Sequence, residues 1–296
     1  MAAGFKFRQF LKTKNLKAMK KFGYALVACL GACLPTGCSD NDDPAPVPEG
    51  EKVTLTEAGT LRTVLGDRAL DVEAIDVEGP MDYRDLATLN QAACKGKLMS
   101  IDLSKATIQN NVIPDYTFCP YYSNRMDGIK KTATDHVHDV LFAPKFTRFV
   151  FPNTIESIGR ASFSDSKLDE LTLPTALRSI GPMAFCSCKN LKQDRLFFSE
   201  GLEKIGEGAF QDATLRDVVL PTSLREIGAK AFDSAIAGNV YSVSPEPPVC
   251  LEDNVFDGCG NSTLYVPVGA RASYAAVKGW SGFAKIVETK DFPRQR

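Results

Sequence analysis

Hydrophobic residues recur through the middle of the chain in a unit of 22 to 25 residues. Each unit holds a six-residue motif that starts with Ile-Gly and ends with Phe. A weaker copy runs from Leu251 to Phe256, and an earlier one runs from Ile113 to Phe118, 45 residues or about two periods before the first full copy. A fixed period of this length predicts a protein of stacked coils, each packed on its neighbours. The four full copies start at Ile158, Ile180, Ile205 and Ile227.

A short alternation of apolar and polar residues precedes each motif and predicts one strand per coil. In the segment Leu171–Pro174 the leucines alternate with Thr172, and the proline ends the strand without removing a needed N–H donor. Equivalent segments lie at 149–152, 196–199 and 218–221. The segment at 196–199 departs from the pattern, because Ser199 replaces the proline and Gln193 stands at a position that is apolar in the other units.

The position three residues after each motif phenylalanine is always small. Because equivalent residues of stacked coils lie on top of one another, a crowded interior position demands a small side chain in every coil. The same register predicts that Phe185 and Phe210 stack in one buried aromatic ladder. It also favours Cys188 and Cys259 as small core residues over disulfide or metal-binding residues. The small residues are Ser166, Cys188, Ala213, Ala235 and Cys259.

The Ile-Gly-x-x-Ala-Phe motif and its register resemble the BspA-like leucine-rich repeats of bacterial surface proteins, over residues 113–287. The segment from Leu264 to Gly269, followed by Tyr274 and Trp280, resembles the usual end of that array, in which a strand leads into a short helix bearing one Trp. The resemblance implies a β-rich repeat solenoid, a right-handed leucine-rich-repeat array of short parallel strands. We assign the solenoid to 109–262 and a C-terminal capping segment to 263–296.

Residues 51–108 lack the repeat and predict an α+β N-terminal cap. Leu61, Val64 and Leu65 form a helical stripe. Segments 72–77 and 97–103 are patterned as strands. Between them, Asp82 followed three residues later by Asp85 is typical of a helix N-terminus.

The first residues are patterned as an export signal. Seven Lys and Arg residues without an acid precede the apolar run Phe22–Leu34, and Pro35-Thr36-Gly37-Cys38 follows it. This arrangement resembles the lipobox of bacterial lipoproteins, although Pro35 stands where that motif usually has Leu. We expect a signal peptide at 1–37, or at 19–37 if Met19 is the true start, and acylation of Cys38. An ordinary signal peptide with a coincidental cysteine is the alternative.

Residues 38–50 are acidic and proline-rich and predict an extended, lipid-anchored tether. Their Cys-Ser-Asp-x-Asp-Asp start resembles the signal that sends some lipoproteins to the outer face of the outer membrane; a plain acidic linker is the alternative. We therefore expect an exported lipoprotein of the outer membrane, exposed at the surface. A formal net charge of −1 gives no reason to expect nucleic acid. The 13-residue run Phe22–Leu34 is too short for an ordinary membrane span.

Candidate chemistry is sparse. The two histidines, His136 and His138, lie in the segment 120–140 that breaks the repeat period, which we interpret as a truncated or irregular coil with a surface loop. A zinc site needs three or four ligands, and no cysteine pair or metalloprotease motif lies near them. A disulfide between Cys250 and Cys259 is conceivable. We predict no catalytic residue, metal or cofactor. A glycosidase, which needs only two carboxylates, is the alternative.

The strand alternation does predict a candidate binding face, because the residue between the two inward leucines points outward. One outward column is mostly apolar on a solvent face, as interaction surfaces often are. The neighbouring column alternates in charge, which suits ion pairs between strands about 4.8 Å apart. A solvated surface of good strand formers is the alternative. The first column is Val150, Thr172, Phe197, Val219 and Tyr265; the second is Arg148, Glu170, Arg195 and Asp217, with Thr263 following.

These features predict a non-enzymatic, monomeric cell-surface protein that presents its repeat face to an extracellular protein or glycan. The family resemblance implies adhesion to host matrix proteins. The alternative is a structural or accessory envelope subunit of a transport or glycan-uptake system.

Overall fold

The computed structural model describes residues 49–119 and 143–295. Cys38, the signal segment, His136 and His138 lie outside the described residues. Residues Pro46–Arg296 form one compact unit. In the described part of this unit, the α-helices are α1 (Leu61–Leu65), α2 (Tyr83–Lys95) and α3 (Arg271–Ala276). The described strands are β1 (Glu51–Thr54), β2 (Ala74–Met81), β3 (Ser100–Ile108), β4 (Val112–Ile113), β5 (Arg148–Val150), β6 (Ser157–Ile158), β7 (Ser179–Ile180), β8 (Arg195–Phe197), β9 (Lys204–Ile205), β10 (Asp217–Leu220), β11 (Glu226–Ile227), β12 (Val240–Ser242), β13 (Val249–Cys250), β14 (Thr263–Pro267) and β15 (Lys285–Thr289).

The strands form three parallel sheets, and the repeat solenoid is confirmed. The strands of the four Ile-Gly motifs, together with β4 and β13 at the equivalent positions of their coils, form one six-stranded sheet in the order β13-β11-β9-β7-β6-β4. Strands with the alternating apolar pattern form a five-stranded sheet in the order β15-β14-β12-β10-β8. The three strands of the N-terminal cap and β5 form a four-stranded sheet in the order β1-β2-β3-β5. The Gly after each Ile is required by close approach: a Cβ on Gly228 would lie 2.4 Å from the backbone N of Glu207 in the preceding coil.

The core between the sheets holds the expected aromatic ladder. Phe185 and Phe210 stack with ring centroids 5.2 Å apart and planes 15° apart. Phe232 continues the stack 5.5 Å from Phe210, and Phe256 follows 5.4 Å further. Trp280 then packs on Phe256 at 4.8 Å and closes the C-terminal end. Parallel strands about 4.8 Å apart set this spacing, because each coil repeats the position of the one before it.

The column of small residues is buried as expected. Cys188 and Cys259 are both nearly inaccessible, and each thiol donates a hydrogen bond of 3.2 Å to a backbone carbonyl of the preceding coil, that of Phe163 or Phe232. Burial raises the pKa of the Cys188 thiol to about 12. Cys250 and Cys259 are free thiols in this structure and are not joined by a disulfide.

Two register predictions are wrong. Ile113 pairs directly with Ile158, so the two lie in neighbouring coils and not about two periods apart. The segment 120–140, interpreted as a truncated or irregular coil with a surface loop, lies outside the described residues. In the last coil Cys250, not Leu251, pairs with Ile227, and Leu251 is exposed. The extra residue between Cys250 and Phe256 lies after the strand, so Phe256 keeps its register in the phenylalanine ladder.

The segment 171–174 forms no strand, although its pattern matches its neighbours. Its backbone is bonded to a side chain: the Gln193 amide accepts from the N–H of Leu171 at 2.6 Å and donates to its carbonyl at 3.1 Å. The third unit carries three extra residues. As a result Leu191 is buried, whereas Gln193, which aligns with an apolar position of the other units, is only half-buried. The four-stranded and five-stranded sheets are therefore separated at this coil.

Both caps close the ends of the core. The capping box of α2 is confirmed: Asp82 accepts from Arg84, and the Asp85 carboxylate accepts from the N–H of Asp82 at 2.9 Å. Asp85 is buried and also accepts from the N–H groups of Gly59 and Leu61 at 2.6 and 2.9 Å.

At the C-terminal end of the core the buried Trp280 donates its indole N–H to the backbone carbonyl of Pro248 at 2.8 Å. It starts a short 3₁₀ helix, Trp280–Gly282, that follows α3.

Candidate functional site

The outward face of the five-stranded sheet carries a continuous column of apolar and aromatic residues. Pairing places Phe197 beside Val219, Val219 beside Tyr241, and Tyr241 beside Tyr265. Tyr241 is missing from the column predicted by sequence. Its signal was present, because Tyr241 follows Val219 by 22 residues, but its coil has no full Ile-Gly motif to mark it.

Exposure varies along this column. Phe197, Tyr241 and Tyr265 are half-buried. Val219 is only 6% exposed, so the expectation that the whole column faces solvent does not hold there. The reason is local, since larger neighbours on both sides cover the short valine side chain. The accessible surface of the column is therefore that of its three aromatic residues.

The two tyrosines form an ordered stack. Their ring centroids are 4.7 Å apart and their planes differ by 10°. The guanidinium carbon of Arg195 lies 5.6 Å from the centroid of Tyr241. Arg195 starts β8 and Tyr265 belongs to β14, and these strands lie on opposite sides of β12 in the sheet. Arg195 and Tyr265 thus flank Tyr241 from the two sides, a cation–π contact on one side and a ring stack on the other.

Asp217 holds Arg195 in place. Its carboxylate, 14% exposed, accepts from the Arg195 guanidinium at 3.0 Å. It also accepts from the backbone N–H and side-chain amide of Asn239 at 2.8 and 3.2 Å. Gly238 permits this approach, because a Cβ there would lie 2.4 Å from Asp217 Oδ1. The Arg195–Asp217 pair confirms that charges of neighbouring coils pair across the sheet.

The environment of Tyr241 raises the pKa of a phenol that is already neutral at physiological pH. Burial raises the Tyr241 pKa above its ordinary value, the nearby Asp217 carboxylate raises it further, and Arg195 opposes the shift. At physiological pH the hydroxyl is therefore available both as a hydrogen-bond donor and as an acceptor.

The other members of the predicted face do not join this column. Val150 and Arg148 belong to β5 in the four-stranded sheet, where Arg148 pairs with Asp102 at 3.3 Å. Thr172 and Glu170 lie in the coil without a strand and are exposed. In the part of the chain that the structure describes, Glu170 forms no ion pair, so the predicted alternation of paired charges stops there.

An open groove of about 580 Å³ adjoins the start of these strands. Its charges are already matched between coils: Arg216 pairs with Asp194 at 2.6 Å, and Lys192 pairs with Asp169 at 3.1 Å. Unlike the aromatic column beside it, the groove has a lining that mixes polar side chains with the apolar ones of Leu191, Leu215 and Ala237. Its lining residues include Lys192, Gln193, Thr214, Arg216, Asp217 and Asn239.

Other chemistry is not assembled in the described ranges. Within 49–119 and 143–295, no group of three or more His, Cys, Asp or Glu residues is placed to hold a metal ion. No helix of those ranges is long and apolar enough to cross a membrane. Burial raises the pKa of the Cys94 thiol to about 11 and that of Cys250 to about 12, which opposes formation of a reactive thiolate.

Comparison with known proteins identifies the repeat. Residues 111–239 match the family model of the BspA-type leucine-rich-repeat region in six copies. Among solved structures, a leucine-rich cell surface protein from Faecalibacterium prausnitzii A2-165 is 14% identical, over 74% of this chain and 80% of that one, with a TM-score of 0.25. The pneumococcal vaccine antigen PcpA is also 14% identical over the same shares, with a TM-score of 0.20. Among curated proteins, none matches this chain.

Proposed function

We propose that this protein, whose residues 111–239 match the family model of the BspA-type leucine-rich-repeat region, is a non-enzymatic, adhesin-like interaction protein of the cell surface. It binds an extracellular protein or glycan through the outward face of its five-stranded sheet. The observation that carries the proposal is the aromatic column Phe197, Tyr241 and Tyr265, held by the Arg195–Asp217 pair. An apolar centre with a polar rim is the usual composition of an interaction surface.

The anchor is part of the proposal. Its support is the basic, apolar and Gly-Cys order at the start of the chain, followed by an acidic tether. Acyl chains on Cys38 would hold the protein at the outer membrane, since each buried CH₂ contributes about 0.8 kcal/mol. We expect Cys38→Ala to move the protein into the soluble fraction or leave it unprocessed. Labelling of the Cys38→Ala protein by a fatty-acid analogue would contradict acylation at this residue.

The binding face is tested with a fragment of residues 46–296, which holds the whole compact unit. The fragment is screened against a panel of purified matrix glycoproteins and free glycans. We expect Phe197→Ser to keep the circular dichroism spectrum and to weaken binding at least about tenfold, or ~1.4 kcal/mol. Tyr83→Ser is the control, because Tyr83 is 51% exposed on α2, away from this sheet. Equal binding by both variants would contradict the proposed face.

A further inference from the structure

Tyr241 and Tyr265 lie face to face on neighbouring strands of the five-stranded sheet. The pairing of β12 with β14 places the two residues side by side, with their ring centroids 4.7 Å apart and their planes 10° apart. Among the described residues, they are the one pair of tyrosines whose rings are in contact. Each side chain is half-buried, so part of it remains accessible from solvent. The two phenols are therefore both ordered and within reach of an oxidant.

A face-to-face pair of phenols is arranged for one particular reaction. Loss of an electron and a proton turns a phenol into a phenoxyl radical, whose unpaired electron occupies orbitals perpendicular to the ring and is shared with the carbons beside the C–O carbon. Two such radicals join through their ring faces, and rings already held in that geometry need no further ordering before they react. We propose that the Tyr241–Tyr265 stack is a site of oxidative cross-linking, at which the two rings become joined as dityrosine.

The reaction balances with hydrogen peroxide and a haem peroxidase as the oxidant, both from outside this chain. Each phenol gives up one electron and its hydroxyl proton, and the two electrons and two protons reduce one hydrogen peroxide to two waters. One carbon–carbon bond forms between the ring carbons that lie beside the two C–O carbons. The hydrogens on those carbons leave as protons while protons return to the two oxygens, which restores both aromatic rings. The protein loses two hydrogen atoms in total.

The surroundings of the stack direct the reaction to this pair. Asp217 holds the Arg195 guanidinium, whose carbon lies 5.6 Å from the Tyr241 centroid on the side away from Tyr265. Val287 of β15 pairs with Tyr265 on its other side. A tyrosine of a second molecule therefore has less access to either ring than the two rings have to each other. Carboxylate, guanidinium and aliphatic groups are also harder to oxidise than a phenol, so these neighbours do not quench the radicals.

The cross-link would join two coils that are otherwise held together by backbone hydrogen bonds and packing. Tyr265 follows Tyr241 by 24 residues, and the new bond closes the chain between them into a loop. A covalent loop stabilises a fold mainly by restricting the unfolded chain. Oxidation would thus fasten β12 to β14 and raise the temperature at which this end of the array unfolds. The inference goes beyond the proposed function, because it does not depend on what the face binds.

The test treats the fragment of residues 46–296 with a haem peroxidase and hydrogen peroxide and isolates the monomer. Trypsin together with a Glu-specific protease, which cuts after Glu252, leaves Tyr241 and Tyr265 on different peptides. We expect mass spectrometry to find these two peptides joined and lighter by two hydrogen atoms. The joined product should be absent from Tyr241→Phe and from Tyr265→Phe, which keep the aromatic ring but cannot form a phenoxyl radical. Circular dichroism establishes that each variant is folded.

Two controls separate the folded stack from tyrosine chemistry in general. Tyr83→Phe should keep the joined product, because Tyr83 is 51% exposed and has no ring contact with another tyrosine in the part of the chain that the structure describes. The free peptide of residues 231–271 carries both tyrosines without the fold. It should form the product at least about tenfold more slowly, because its chain must first bring the two rings together.

Three results would overturn the inference. The first is a peroxidase-treated wild-type monomer in which Tyr241 and Tyr265 are not joined. The second is an equal rate of joining in the free peptide, since the fold would then play no part. The third is a monomer in which Tyr83 is joined to another tyrosine as often as Tyr241 is to Tyr265, which would make the reaction one of any exposed tyrosine.

Discussion

The Gln193 side chain substitutes for a strand partner, and its removal should therefore cost more than that of an ordinary surface glutamine. Its amide satisfies both the N–H and the C=O of Leu171, at 2.6 and 3.1 Å. Leu171 is only 3% exposed, so water has little access to replace these bonds. An unsatisfied buried polar group costs about 1–3 kcal/mol. We expect Gln193→Ala to lower the free energy of unfolding by ~2–4 kcal/mol.

A second variant separates the two bonds. Gln193→Glu keeps an acceptor for the Leu171 N–H but places a carboxylate against the Leu171 carbonyl, so it should also destabilise, by ~2 kcal/mol. Gln211→Ala is the matched control, because the Gln211 amide bonds only the Asp233 side chain, at 3.0 Å, and leaves no backbone group unpaired. It should cost less than ~1 kcal/mol.

The assay is urea unfolding of the three variants, with amide hydrogen exchange of Leu171 as the local measurement. The N–H of Leu171 should exchange faster in Gln193→Ala and unchanged in Gln211→Ala. Equal losses of stability in the two alanine variants, or an unchanged exchange rate at Leu171, would refute the role assigned to the Gln193 amide.

Two further predictions concern the core and the cap. Phe210→Ala should lower the free energy of unfolding by ~3–5 kcal/mol, because the ring stacks on both sides within the ladder. The measurement is the thermal unfolding midpoint, with Gln211→Ala as the control variant. Equal shifts of the midpoint in the two variants would mean that the ladder is not a stabilising element. Asp85→Ala should cost ~3 kcal/mol or more by leaving three N–H groups without their carboxylate. Its control is Asp67→Ala, because Asp67 is exposed in the same cap. If thermal unfolding shows a comparable loss of stability in both variants, the buried Asp85 carboxylate does not have the stabilising role assigned to it.

The aromatic ladder could be predicted from sequence because it depends on one column of identical residues at a nearly constant spacing. Once Phe185 and Phe210 were aligned, stacking of the coils left no other place for the rings. The capping box of α2 was equally local, since Asp82 and Asp85 are three residues apart.

The tyrosine stack could not be predicted in full, because the coil of Tyr241 lacks the motif that marked its neighbours. The 46 residues from Val219 to Tyr265 span two periods, and that spacing was the available signal. The separation of the sheets at Leu171 was beyond sequence for a different reason. It depends on how the three extra residues of the third unit position the Gln193 amide against the Leu171 backbone of the preceding coil. The repeat pattern of a sequence gives no information about such a distance.

The parallel order of the strands has a mechanical consequence. If the protein is tethered by its first residues and bound through β8 to β14, as proposed, tension between these two points would act across its strands, not along them. Backbone hydrogen bonds loaded in that direction break one coil at a time instead of sharing the force. Each released coil of 22 to 25 residues would add about 75–85 Å of extended chain. An anchored protein of this construction would lengthen in steps under flow and keep the remaining coils, with their bound partner, folded.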